Sequence, residues 1–410
     1  MNVTRDICVG LDATDPIAHL RDRFVMPERE IYLDGNSLGC LPKFVAPRLA
    51  QAVIQEWGKG LIRSWNEVGW YRAPQRVGAK IAALIGADAD DVIVTDSTSV
   101  NLFKVLAAGL RMRVGRSKIL GVDGDFPTDS YIANGVAEFA GARFIRADAE
   151  DLIASIDEDV AIVSLTHVNY KSGFVYDMGA VTEAAHDKGA LIVWDLSHSA
   201  GAMDLHVDEL RADFAVGCGY KYLNGGPGAP SYVFVAKRHQ SRFQHPLTGW
   251  LGHADPFAFA EEFIPAAGMD KVLTGTPPIL SLVALDAALD VFDGVKMAQV
   301  RAKAESLTRL FVSLADEFLL GHGFALASPR DACKRGAQVS LAHEHGYAIC
   351  QALIAQGVIG DFRAPDLVRF GLAPVYTRHV DVYDAVDIID RVMKTRGWDV
   401  PAFKSRKAVT

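Results

Sequence analysis

The sequence predicts an α/β fold in which a largely parallel sheet is covered by helices, followed by a smaller α+β domain. Three observations predict it. Between about residues 75 and 290, short apolar runs alternate with amphipathic stretches of helical period. Those runs lack in–out alternation, as in ALIVW at 190–194, which suits strands buried on both faces. Polar and ionisable residues also collect where the runs end, at Ser97, Asp125, Thr166, Asp195 and Lys221. Open α/β sheets hold their ligands at such ends.

The elements follow in order. DVIVTDS at 91–97 reads as a strand, with a helix from Thr98 to about Leu110. SKILG at 117–121 is the next strand, then a helix through YIANGVAEFAG, then strands ARFIRA at 142–147 and DVAIVSLTHVN at 159–169. The helical VTEAAHDKG leads into ALIVWDLSH, and DFAVGCGYKYL at 213–223 and APSYVFVAK at 229–237 complete the series. After Pro277-Pro278, ILSLVALDAALDVFDG and RAKAESLTRLFVSLADEFLL read as long helices. GFALASP, AQVSLAHE and DLVRFGLAP then read as strands, and HGYAICQALIAQG and DVYDAVDIIDRVMKTRG as helices. The expected units are an N-terminal segment 1–60 packing with the small domain, a large domain 61–290 and a small α+β domain 291–410.

Composition narrows the class. A chain of 410 residues buries a large core without disulfides, and half its residues are hydrophobic with 22% charged. Lys plus Arg is 42 against 50 Asp plus Glu, a net charge of −8, which argues against a nucleic-acid coat protein. The five cysteines form no CxxC pair and read as free thiols of a reducing compartment. MNVTRDICVGLDATDPIAHLRDRF has no apolar core of the kind a secretory signal needs, and no apolar run is long enough to span a bilayer. The expectation is a cytoplasmic protein that takes a small molecule, with neither nucleic acid nor membrane as partner.

Four segments carry the chemistry. In GCGYKYLNGGPGAP, Lys221 follows an apolar strand amid glycines that allow close backbone approach to a bulky ligand. A desolvated lysine amine there can form a Schiff base with an aldehyde cofactor, although by itself the segment equally fits a surface lysine in a glycine-rich turn. Asp195 follows ALIVW directly, so a carboxylate stands at a buried strand end and calls for a cation, such as a protonated pyridine nitrogen. Its plainer reading is a cap for the turn SHSAG, in which His198 faces either the aspartate or a phosphate. Ser97, Thr98 and Ser99 lie where a strand passes into a helix, a phosphate seat that is also an ordinary N-cap. DGDFPTDSY adds Phe126 to lie against a ring and Asp129 near its oxygen substituent, or a simple packing anchor. Taken as a set, these occur in the order a pyridoxal phosphate (PLP) enzyme needs. No Walker A or GxGxxG pattern follows a strand.

DGNSLG at 34–39, FPTD at 126–129, DLSHSAG at 195–201, GYKYLNGGPGAP at 219–230, GWLGH at 249–253 and TGTPPI at 274–279 closely resemble kynureninases. The resemblance implies the type I fold of PLP-dependent transferases, with a seven-stranded-type large-domain sheet. It implies hydrolysis of L-kynurenine, and of 3-hydroxykynurenine as a second candidate, to anthranilate and L-alanine. Carried over by match, Lys221 is the Schiff-base lysine that moves the Cα proton, Asp195 faces the pyridine nitrogen and Tyr220 donates a late proton. Thr98, Ser99, His198 and Tyr220 lie around the phosphate, Phe126 and Asp129 at the ring, and Thr166 beside the cofactor. Trp250 and Thr276 reach the site from the neighbouring subunit of a homodimer, and other members carry asparagine where Thr276 stands. Arg369 takes the substrate α-carboxylate through its guanidinium fork. Nearby positive charge is expected to lower the Tyr220 phenol pKa.

No metal is expected, and His343 and His345 read as a solvated pair. The nearest rival is a cysteine desulfurase or selenocysteine lyase with Cys333 as the loop thiol; an aminotransferase is weaker. A non-catalytic PLP-fold scaffold or sensor is the rival of another class, and it would be expected to lack Lys221 or Asp195.

Overall fold

A computed structural model describes residues 3–406; residues 1–2 and 407–410, the outermost ends of the N-terminal segment and small domain delimited above, lie outside the described residues. Seven strands form the large sheet in the spatial order Val92–Val94, Ser231–Val235, Phe214–Cys218, Leu191–Asp195, Val160–Thr166, Lys118–Val122, Arg143–Ala147. Ser231–Val235 runs antiparallel to both its neighbours and the remaining pairs are parallel. Alternate side chains of each strand enter different cores, because the pleat has a period of two. Ile93, Ile162, Val193 and Val216 pack against Leu102, Val105 and Leu106 of the helix Thr98–Met112. Val94, Val163, Trp194 and Phe234 face Val77, Ile81 and Ile85 of the helix Ala73–Ile85 on the other side. A sheet covered on both faces needs apolar residues at every strand position, and every residue of Val160–Thr166 is buried.

The smaller sheet is antiparallel, in the order Asp361–Arg363, Leu367–Gly371, Gln338–Ala342, Ala325–Leu326. Helices Met297–Phe318 and His379–Lys394 close its core around Phe311, Val339, Phe370 and Ile389. Met297–Phe318 joins the two units, since Val300 and Ala304 lie in the large core and Leu307 and Phe311 in the small one. The N-terminal segment also touches both: Ile31–Tyr32 pairs with Val358–Ile359, whereas Leu20 and Phe24 enter the large core.

Three sequence expectations change. GFALASP contributes a strand of two residues, because pairing with Leu341 and Ala342 ends there. ILSLVALDAALDVFDG is helical from Ile279 to Leu289 and tightens into a 3-10 turn at Asp290–Phe292. His343 is buried against Phe324, its Nε2 at 3.2 Å from the carbonyl of His322, so it is no solvated partner of the exposed His345.

Candidate active site

Strand ends of the large sheet and the loops behind them enclose a cleft of about 310 Å³. Register brings the end residues together: Thr166 lies opposite Asp195, which lies opposite Val216, two residues before Cys218. Thr98, Ser99, Phe126, Asp129, Thr166, Asp195, His198, Tyr220 and Lys221 all line this cleft. Lys221 is its sole Lys or Arg among the described residues.

Asp195 closes its strand and is buried, with Oδ1 accepting the Ser197 N–H at 2.8 Å. Asp129, in the first turn of the helix Pro127–Ala140, is buried beside it. Burial, with the charges of Asp195 and Asp125 added, pushes the Asp129 carboxyl well above the usual range. Asp125 is a third carboxyl that the motif reading passed over. Its Oδ2 accepts the Thr166 N–H at 3.1 Å, its Oδ1 is buried without a partner, and burial raises its pKa to about 7. Asp129 and Asp195 line a cleft that has a single lysine, with the buried Asp125 close by, which leaves room for a further cation such as a protonated pyridine ring would supply.

Lys221 Nζ donates to His198 Nε2 at 2.8 Å, and His198 Nδ1 lies 3.3 Å from Gln338 Oε1. Burial, reinforced by the charges of Lys221 and Arg369, holds the imidazole well below its ordinary pKa, so it is neutral and accepts from the lysine. The lysine nitrogen stands 5.8 Å from the centre of the Phe126 ring, which itself meets Tyr170 edge-on at 5.2 Å. Tyr220 departs from expectation. Burial and the neighbouring Cys218 and Asp195 raise its phenol pKa, because no cation outweighs them. The loop is braced from the N-terminal segment, where the Gly39 N–H donates to the Tyr220 carbonyl at 2.8 Å. A Cβ on Gly39 would collide with the Lys221 carbonyl and the Asn224 side chain, which explains the glycine of DGNSLG.

Ser97 caps the helix Thr98–Met112, its Oγ accepting the Val100 N–H at 3.4 Å. The N–H groups of Thr98 and Ser99 belong to the first turn and have no helical acceptor, so hydroxyls, amides and the positive helix end make an anion seat. Lys104 fixes this seat from below. Its fully buried Nζ donates to Asp96 Oδ2 at 2.5 Å and to the Val272 carbonyl at 2.7 Å. The cleft thus offers an anion seat, a ring-flanking phenylalanine, a carboxylate for a cationic nitrogen and a lysine for an aldehyde. These fit PLP.

Three carried-over residues do not line the cleft. Trp250 is exposed on the turn Trp250–Gly252 against Phe257, and Thr276 is exposed further along. Arg369 is buried behind Tyr170 with its fork filled: Nε donates to Asp361 Oδ1 at 2.7 Å and Nη2 to Asp361 Oδ2. Cys333 is exposed on the turn Ala332–Lys334 and also lies outside the cleft. Asp125 stands among the strand-end residues noted from the sequence, without a role; sequence reasoning missed Tyr170, which directly follows the strand run at 159–169, and Gln338, which comes from the small domain and had no local signal.

A family model described as the kynureninase C-terminal domain matches residues 300–389. The chain is 47% identical to kynureninase of Burkholderia mallei (strain SAVP1) over 414 aligned positions, covering 99% of this chain and 100% of that protein. It is 46% identical to kynureninase of Pseudomonas fluorescens with the same coverage. Among solved structures it is similar to a cysteine desulfurase from Thermococcus onnurineus NA1, with TM-score 0.78 and 19% identity over 92% of this chain and 98% of that one. The cysteine desulfurase CsdA of Escherichia coli gives TM-score 0.76 and 19% identity over the same shares. At that identity the two structures speak for the fold, the PLP-dependent transferase type I architecture.

Proposed function

This chain belongs to the kynureninase family, and from that premise we propose how its cleft hydrolyses L-kynurenine to anthranilate and L-alanine by Cβ–Cγ cleavage. One observation carries the reading: Lys221, Asp195, Phe126 and the Thr98–Ser99 seat line a single cleft. Bound PLP supplies an aldehyde that takes an amine and a cationic ring that accepts the negative charge left at Cα.

The chain's residues hold and move the rest. Thr98, Ser99 and the helix N-terminus would hold the phosphate, Phe126 would pack on the ring, Asp195 would pair with its nitrogen, and Asp129 and Thr166 would complete the ring site. Lys221 would hold the cofactor aldehyde, and its free amine would move the Cα proton. Neutral His198 is 2.8 Å from Lys221 Nζ and orients it. Tyr220 keeps its proton at neutral pH, as its raised pKa requires, and donates it to the fragment that leaves as alanine.

We further infer a homodimer with shared clefts. Trp250 and Thr276 are exposed away from their own cleft, and Ile54, Trp57, Leu61 and Ile62 make an exposed apolar ridge that a second copy covers. No helix among the described residues is long and apolar enough to cross a membrane, and the five cysteines are free, in keeping with a cytoplasmic location.

The test is incubation of the PLP-loaded protein with L-kynurenine while anthranilate fluorescence is followed, with L-cysteine and sulfide release as the control. Anthranilate and L-alanine in equal amounts are expected. Sulfide from cysteine without anthranilate from kynurenine would overturn the reading.

A further inference from the structure

Gln338 opens the strand Gln338–Ala342 of the small domain and is buried. Its amide has two donors and room for two acceptor contacts, and all four are taken. Nε2 donates to the Tyr170 carbonyl at 3.0 Å and to the Lys171 carbonyl at 3.4 Å, and Oε1 accepts from Asn36 Nδ2 at 3.4 Å. The fourth contact is His198 Nδ1, 3.3 Å from Oε1. Backbone carbonyls only accept, so the amide cannot reverse without setting its oxygen against two others. The loop that carries those carbonyls is itself held. Asn169 Oδ1 accepts the N–H groups of Lys171 and Ser172, each at 3.0 Å, Arg369 donates to the Tyr170 carbonyl, and Ser340 Oγ donates to the Lys171 carbonyl. A Cβ on Gly173 would stand 2.8 Å from Gln338 Cγ, so loop and side chain pack without spare room.

This arrangement decides where the His198 proton sits. With Oε1 facing it, Nδ1 carries the hydrogen, and the lone pair of the neutral ring is on Nε2, 2.8 Å from Lys221 Nζ. The difference matters to a base. A neutral lysine amine has two hydrogens and one lone pair. A bare Nε2 takes one of those hydrogens and leaves the amine's electron pair free for a proton on Cα. An Nε2–H would instead donate to that electron pair and occupy it.

We propose that Gln338 is a positioning residue for the proton transfer: from the small domain it sets the His198 tautomer, and that tautomer keeps the Lys221 lone pair available. Gln338 does not line the cleft, so it acts through His198. The inference rests on the kynurenine reading, which makes Lys221 the base at Cα.

The first measurement needs neither cofactor nor turnover. It is imidazole nitrogen NMR of the PLP-free protein labelled at histidine, with the His198 signals identified by their loss in His198→Gln. The parent should show a protonated Nδ1 and a bare Nε2. Gln338→Leu, which has no acceptor, should lose that preference. In the PLP-loaded protein the same change should lower kcat for L-kynurenine about 10- to 100-fold, with KM within about threefold of the parent. Gln338→Glu can imitate the amide, because burial against two carbonyl oxygens keeps its carboxyl protonated. Its hydroxyl then donates to one carbonyl while its other oxygen accepts from His198, and kcat should return to within about fivefold of the parent. A protonated Nε2 in the parent would overturn the proposal whether or not any variant folds. Parental kcat in Gln338→Leu would overturn it too, as would a loss that Gln338→Glu does not recover, which marks structural damage. A parent that carries the Nδ1 proton yet releases no anthranilate would instead sink the kynurenine reading and leave the tautomer assignment standing.

Discussion

Lys104 is fully buried, and it ties the anion seat to the segment that carries Thr276. Replacing it with methionine keeps the apolar stem and removes the charge. Removing one partner of a buried ion pair costs about 3–5 kcal/mol. Asp96 retains 30% exposure, so water recovers part of that cost and the lower end applies. The Val272 carbonyl, left without its donor, adds about 1 kcal/mol, and methionine packing returns a similar amount. We therefore expect Lys104→Met to lose about 3 kcal/mol, a fall of about 1 M in urea midpoint at a slope of about 3 kcal/mol per M. Urea unfolding of the PLP-free protein reads this directly, and PLP titration reads the loosening of the seat. Asp96→Asn added to Lys104→Met should cost less than the sum of the two single changes, because the stranded charge is gone. A loss under about 1 kcal/mol with parental PLP affinity would refute the claim that this pair holds the seat.

Lys221→Ala should abolish turnover and, after borohydride treatment, show no cofactor mass on the polypeptide, whereas the parent does. Asp125, raised to about 7 by burial, makes its contribution below the unfolded carboxyl pKa of about 3.9 and loses it as pH rises through 7. Asp125→Asn should thus match the parent near pH 4 and exceed it above pH 7 in thermal midpoint of the PLP-free protein; equal midpoints at both ends would contradict this. Ile62 is 78% exposed, and Ile62→Glu should shift sedimentation from dimer to monomer and reduce activity together. Dimers that persist would place the interface elsewhere.

Much of the architecture could be read from local pattern. Strands covered on both faces have no exposed positions to interrupt an apolar run, so Val160–Thr166 and Leu191–Asp195 announce themselves. The cleft was legible for the same reason, since each of Thr98, Phe126, Asp195 and Lys221 follows a strand end in its own motif. Where a residue's role depends on a distant partner, local pattern was silent or misleading. The Arg369 motif suggests an open fork, yet Asp361 fills it across the register of two antiparallel strands. Tyr220 sits next to a lysine in sequence, yet its phenol answers to burial, Cys218 and Asp195. His343 reads as a surface histidine but packs under Phe324.

The order of the chain by itself determined the alternation of strand and helix, the buried strand ends and the residue types available for cofactor chemistry, because burial and periodicity are properties of neighbouring positions. Tertiary structure alone decided which carboxyls meet, which arginine donors stay free and which face is left uncovered. Those follow from contacts between segments tens to hundreds of residues apart, such as Lys104 with Val272 and Arg369 with Tyr170, and hydrogen-bond capacity used up at one contact is lost to every other.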